Sequence, residues 1–336
     1  MSAGAGPGMV GMVGAARLGS LVSMTDAIGA LEAALRAGLD PSADPARPVV
    51  GLESGQLLVM PAEYGGFAGV KLATVAPANP SRSLPRIQGT YVLFDSATLA
   101  PVMVFDGAGL TALRTPALSG LAVRRLADPD AGRMVVFGTG PQAWGHVRAF
   151  RAVRPVTRVD VVGRDRSRIE AFVARCRAGG LSAAAAAPTA VTSADLVACC
   201  TTSREPLFDG DLLPDRCTVV AVGSHEPDAR EVDDRTVVRS TVVVEDATVA
   251  LREAGDVIGP VRRGVVDAAH VSAGIADLVR GRVVLGDRPR LFKSVGMAWQ
   301  DLVVATEAYR CAVCEPDSAG RPYPSGETSD PRGAPA

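Results

Sequence analysis

The segment Arg133-Met-Val-Val-Phe-Gly138-Thr-Gly140-Pro-Gln-Ala143 restricts the possible folds of this chain more than any other stretch. An apolar run short enough for a strand ends in a glycine turn, and a helix-forming run opens directly behind it. Gly138 permits the tight turn, Gly140 lets the backbone come close to a phosphate, and small Ala143 allows a helix to pack tightly on the sheet. Further alternation follows. The periodicity predicts helices over 142–153 and 167–179, and strands over 158–162, 196–200 and 218–222. A final strand is expected over 241–244, with helix-like residues over 248–252. Repeated βα units with wholly apolar strands imply a parallel sheet covered on both faces, the Rossmann arrangement. Gly138, Gly140, Pro141 and Gln142 would then present helix N-terminal amides to a pyrophosphate.

The end of the second strand of this unit bears on which nucleotide fits. Sites for NAD place an acidic side chain there, on the ribose diol. Here the strand runs into Gly163-Arg164-Asp165-Arg166-Ser167-Arg168. Arg164 offers a charged fork to a 2′-phosphate. NADP(H) is therefore expected over NAD(H), with Asp165 as the residue that could reverse the preference.

A chain of 336 residues accommodates two cores. Residues 48–106 hold short strand-like runs (48–52, 56–60, 69–75, 91–95, 101–106), preceded by a helix over about 25–37 that Gly38 terminates. A helix over 110–126 should bridge to the nucleotide unit, and one over 296–310 should return. The expected organisation is a disordered leader (1–20) and a discontinuous α+β substrate-binding and dimerisation domain (21–113 with 297–320). The Rossmann domain (114–296) sits between its two parts, and a disordered tail (321–336) follows. Lysine plus arginine number 35 and aspartate plus glutamate 36, a net charge of −1 that gives no bulk attraction to nucleic acid or anionic lipid. No run approaches the roughly 20 apolar residues of a membrane span, and a cytoplasmic, reduced protein is expected. Cys311 and Cys314 have metal-ligand spacing, but without a second pair they read as coincidental, and no metal is expected.

Four side chains stand out as candidates for chemistry. Arg47 lies between Pro45 and Pro48, and Lys71 interrupts the apolar run 69–75. Arg114 starts the bridging helix. His225 follows an apolar strand, where doubly wound sheets place their ligands. Two arginines and a lysine suit a substrate carboxylate, and a histidine can pass a proton near neutrality. His146, on the helix after the glycine turn, reads as structural.

Several motifs together resemble the ornithine cyclodeaminase/mu-crystallin family: Met60-Pro-Ala, Gly69-Val-Lys71-Leu, Pro77-Ala-Asn-Pro80, Asp106-Gly with Leu110-Thr-Ala-Leu-Arg-Thr115, the glycine turn, Glu253-Ala-Gly-Asp256, and Phe292-Lys-Ser-Val-Gly296 with Asp301. The resemblance implies a homodimer. It also implies a substrate-binding trio of Arg47, Lys71 and Arg114, a cofactor contact at Thr202, and a segment Lys293-Ser294-Val295 closing over the nicotinamide side. One position departs: family cyclodeaminases carry an aspartate where this chain has His225. Family members without that aspartate, mu-crystallin among them, are NADPH-dependent ketimine reductases. The resemblance therefore implies an NAD(P)H-dependent reductase of small imino acids, or a related amino-acid dehydrogenase. The alternatives are an ornithine cyclodeaminase with recycled NAD, an opine-like or siderophore-precursor amino-acid synthase, and a nucleotide-binding protein without turnover.

Overall fold

The computed structural model describes residues 10–271 and 273–314. The described residues form two compact units: one comprises residues 10–23, 45–111 and 301–314, the other 24–44 and 112–300 apart from 272.

The first unit is built on a six-stranded sheet. In chain order its strands are β1 (Gly11–Val13), β2 (Val49–Leu52), β3 (Gly55–Tyr64), β4 (Phe67–Val75), β5 (Ile87–Asp95) and β6 (Pro101–Asp106). They lie in the order β1-β6-β5-β4-β3-β2, antiparallel except for the parallel pair β1–β6. Residues directly across a ladder share a face. Lys71 faces Met60 and Tyr91, and Tyr91 faces Phe105. This is the buried side. The other side carries Met12, Val50, Leu57, Val59, Val70, Leu72, Val92 and Val104, apolar and at least partly exposed. The leader expected over 1–20 is corrected in part: residues from Gly11 form β1, and Ala15–Leu21 form helix α1, which buries Leu18 and Leu21. The expected tail lies outside the described residues.

The second unit carries eight parallel strands. Helix α2 (Met24–Arg36) joins it rather than the substrate domain, which corrects the expected boundary at residue 21. The reason is charge and packing. Glu32 takes ion pairs from Arg124 and Arg125, and Arg280 donates to the carbonyls of Leu35 and Leu39. Helix α3 (Gly107–Leu126) leads into β7 (Arg133–Phe137), α4 (Pro141–Val153), β8 (Arg158–Val162), α5 (Arg166–Ala178), β9 (Ser182–Ala185), β10 (Leu196–Cys199) and β11 (Thr218–Ala221). Next come α6 (Asp234–Arg239), β12 (Thr241–Val244), α7 (Ala247–Glu253), α8 (Gly255–Arg262), β13 (Ala273–Gly274), α9 (Ile275–Val279), β14 (Arg290–Lys293) and α10 (Ala298–Cys314). The strand order is β13-β12-β14-β11-β10-β7-β8-β9. The strand over 241–244 is therefore not the last: β14 inserts between it and β11. The order in which strands are added reverses between β7 and β10, the crevice where such sheets bind nucleotides. Among the described residues no single helix is long and apolar enough to cross a membrane.

His146 is structural, as its position on α4 suggested. It is fully buried, Nδ1 donates to the Gln142 carbonyl at 2.8 Å, and Nε2 accepts from the Ser119 hydroxyl at 2.8 Å. A carbonyl cannot donate, so this tautomer follows. Burial lowers its pKa from 6.5 to about 4. Between those values the unfolded chain binds a proton that the folded chain refuses. The stabilisation is thus complete above about pH 6.5, and about 3 kcal/mol is lost as pH falls toward 4. Urea titrations from pH 7 to 4 should show this slope, and His146→Gln should flatten it. Parallel slopes in both proteins would contradict the assignment.

Candidate active site

In the second unit the turn after β7 is built for close approach. Gly138 has φ +104°, and a Cβ there would lie 2.6 Å from the Cys200 carbonyl oxygen. Glycine is required on both counts. At Gly140 an added Cβ would meet nothing within 4 Å, so the turn opens outward. Pro141 begins α4, and no side chain caps it. The N-terminus of α4 thus opens on the glycine turn, the arrangement that suits an anion such as a pyrophosphate. Ala143 is buried, as close helix packing requires.

At the end of β8, Asp165 is committed elsewhere. It caps α5 by accepting from Arg168 N at 3.1 Å and from the Ser167 hydroxyl at 2.7 Å. Those bonds hold its carboxyl below the usual range. Arg166 pairs with Glu170 at 2.8 Å. Arg164 is exposed and makes no hydrogen bond or ion pair with a described residue.

The turns after β10 and β11 are tied together by a carboxylate that the sequence reading missed. Glu231 accepts from Thr201 N and Oγ1 at 2.7 and 2.8 Å, and from Gly223 N at 2.7 Å. Burial pushes its pKa upward. Thr202 is exposed just beyond this clamp, and His225 is half-buried two residues past Gly223. Asp256 holds the Glu231 segment in turn, accepting from the amides of Glu231 and Val232 at 2.6 and 3.0 Å. Lys293 is fully buried, 2.8 Å from Asp256 and donating to the Ser224 carbonyl at 2.7 Å. Its ammonium thus serves the protein interior, which differs from the cofactor contact expected of it. The Ser294 hydroxyl is likewise turned inward, donating to Glu245 at 2.8 Å. A cofactor contact by this segment would have to be through its backbone. Cys199 and Cys200 are held far from thiolate by burial, which leaves them inert as nucleophiles.

Arg114, from the bridging helix α3, is almost wholly buried, and Nη1 donates to Gln300 Oε1 at 2.6 Å. In the first unit, Lys71 on β4 is 2.6 Å from Asp301 of α10, and Nζ also lies 3.4 Å from the Thr111 hydroxyl. Phe67, four residues back on the same face, meets Tyr309 edge-on at 5.6 Å. Four strand residues span about 13 Å and eight helix residues about 12 Å, so α10 runs antiparallel along β4. Arg47 is half-buried in the segment before β2. Cys311 and Cys314 lie one turn apart on α10.

The profile of the ornithine cyclodeaminase/mu-crystallin family matches residues 10–314. The chain belongs to this family. Among its relatives is the Delta(1)-pyrroline-2-carboxylate/Delta(1)-piperideine-2-carboxylate reductase of Azospirillum brasilense, 36% identical over 268 residues, covering 79% of this chain and 83% of the relative. Among solved structures, the Delta(1)-pyrroline-2-carboxylate reductase of Thermococcus litoralis in complex with NADH and L-proline superposes with TM-score 0.84. It is 30% identical, with 90% of this chain and 97% of that one covered. An archaeal alanine dehydrogenase dimer with bound NAD gives TM-score 0.85 at 28% identity, covering 91% and 96%. The family membership, and a mixed α/β fold with a Rossmann domain plus a second domain, agree with what the sequence implied.

Asp301 supplies the counter-charge that the buried Lys71 ammonium requires. Removing one partner of such a pair leaves an unanswered buried charge. Asp301→Asn is expected to cost about 3 kcal/mol in chemical denaturation. A loss below about 0.5 kcal/mol, the range of ordinary surface changes, would show that Lys71 does not depend on it.

Proposed function

We propose that the protein is an NADPH-dependent reductase of small cyclic imino acids, acting on a C=N bond next to a carboxylate. The chain is an NAD(P)-dependent oxidoreductase. When bound, the nicotinamide supplies a hydride to the imine carbon. Gly138, Gly140, Pro141 and Gln142 hold its pyrophosphate, Arg164 its 2′-phosphate, and Thr202 contacts it at the end of β10. Arg47 and Arg114 bind the substrate carboxylate, Lys71 donates a hydrogen bond at the substrate nitrogen, and His225 passes the proton.

The observation that carries this reading is the turn Gly223-Ser224-His225. An imidazole stands where the resemblance places an aspartate in cyclodeaminases, and it gives no anionic partner to the side-chain ammonium of a diamino acid. The reductases among the relatives support the same direction. The NADPH preference is supported by the engagement of Asp165 and the open Arg164.

Purified protein with Δ1-pyrroline-2-carboxylate should oxidise NADPH faster than NADH. Arg164→Ala should cut kcat/KM for NADPH about tenfold and leave NADH nearly unchanged. No oxidation of either nucleotide, with ammonia released from L-ornithine and catalytic NAD, would sink the reductase reading in favour of cyclodeamination.

The apolar face of the six-stranded sheet supports a homodimer through the first unit. Leu72 is 40% exposed and Val50 47%, and a contiguous apolar sheet face marks an interaction surface. Light scattering should give twice the chain mass, and Val50→Asp with Leu72→Asp should yield monomer. A wild-type monomer would contradict the proposal.

A further inference from the structure

We propose that Glu231 is a positioning residue for the dinucleotide: its carboxylate closes the gap where β10 and β11 part and holds Thr201 against the Gly138 turn. The inference rests on the reading of that turn as the seat of the pyrophosphate.

The geometry begins where the sheet ends. β10 and β11 run side by side with Cys199 opposite Ala221, and the Val222 amide still donates to the Cys199 carbonyl at 3.1 Å. One step on, the same register sets Thr201 opposite Gly223. Both of these amides donate at 2.7 Å to the Glu231 carboxylate, Thr201 to Oε1 and Gly223 to Oε2. Gly223 permits the close approach: a Cβ there would strike the Thr201 carbonyl oxygen and lie 2.5 Å from Glu231 Oε1. Glu231 is itself buried, and its backbone amide donates to Asp256 at 2.6 Å, so the carboxylate is held from behind.

The constraint reaches the glycine turn through the Thr201 side chain. An amide can only donate, so Thr201 Oγ1 accepts from Ser203 N at 3.1 Å and gives its own hydrogen to Glu231 Oε1 at 2.8 Å. Those two bonds fix the rotamer of Thr201 and hence the direction of its methyl. A Cβ at Gly138 would lie 2.6 Å from the Cys200 carbonyl oxygen and 3.6 Å from Thr201 Cγ2, so the turn closes directly on this segment. Only a carboxylate satisfies the arrangement. Two amides, one on each oxygen, require two acceptors. A glutamine has one, and its NH2 would face either Thr201 N or Gly223 N, donor against donor.

The test measures NADPH affinity by fluorescence titration in Glu231→Gln, Thr201→Val, their double variant and Gly140→Ala, with folding followed by urea denaturation. Glu231→Gln should weaken NADPH binding about tenfold. Thr201→Val, which deletes only the hydroxyl, should weaken it about threefold and add nothing in the Glu231→Gln background. It carries the test if Glu231→Gln does not fold. A lowered urea midpoint with wild-type NADPH affinity in both variants would mean a merely structural role and overturn the proposal. Losses that multiply in the double variant would also overturn it, because Glu231 would then act by a route other than Thr201. Gly140→Ala tests the reading beneath: φ is −86° there and an added Cβ meets nothing within 4 Å, so the methyl intrudes only on a ligand. It should weaken NADPH binding about tenfold. Wild-type affinity in Gly140→Ala would sink the pyrophosphate reading and the proposal with it. Weakened binding in Gly140→Ala with wild-type affinity in Glu231→Gln would overturn the proposal alone.

Discussion

The ion pair between Lys293 and Asp256 is the interaction on which the nucleotide unit's strand ends depend. Both side chains are fully buried. Two charges removed from water are tolerated only if each is answered with good geometry. Here the answers spread outward. Lys293 also holds the Ser224 carbonyl, Asp256 gathers the amides of Glu231 and Val232, and Glu231 ties Thr201 to Gly223. The ends of β10, β11 and β14 are thereby fixed by one network, and Thr202 and His225 stand on turns it anchors. A ligand arriving at the crevice between β7 and β10 meets backbone that is already ordered, the state that favours binding without further entropic cost.

The arrangement was legible where local sequence carries the physics. The glycine turn could be read because strand, turn and helix lie within eleven residues, and Gly138 meets the steric demand expected of it. Lys71 and Arg114 could be singled out because a cation in an apolar run needs an explanation. The answers to those charges were not legible. Asp301 is 230 residues from Lys71, and Gln300 is 186 from Arg114. Nothing local marks Glu231 as a clamp. A signal existed for Glu245, a carboxylate directly after an apolar strand, but it points to no particular partner.

The misread elements share a cause. β1 is three residues long, begins with Gly11 and runs into Gly14, too short for a periodic pattern, and gains its order by pairing with β6. β14 ends in a lysine that reads as functional, although its charge is answered within the core. Helix α2 reads from the sequence as part of the domain that follows it, whereas Glu32 and the carbonyls of Leu35 and Leu39 bind it to the nucleotide unit. Tertiary partners decided each of these.

Reductases and an alanine dehydrogenase share this fold, so activity must be argued from residues at the strand ends rather than from architecture. The central claim is that the net reaction reduces an imino acid. The most direct measurement supplies NADPH dideuterated at the nicotinamide C4 together with Δ1-pyrroline-2-carboxylate and locates the label by mass spectrometry. The account predicts proline carrying a single deuterium at Cα. Unlabelled proline, or none, would contradict it.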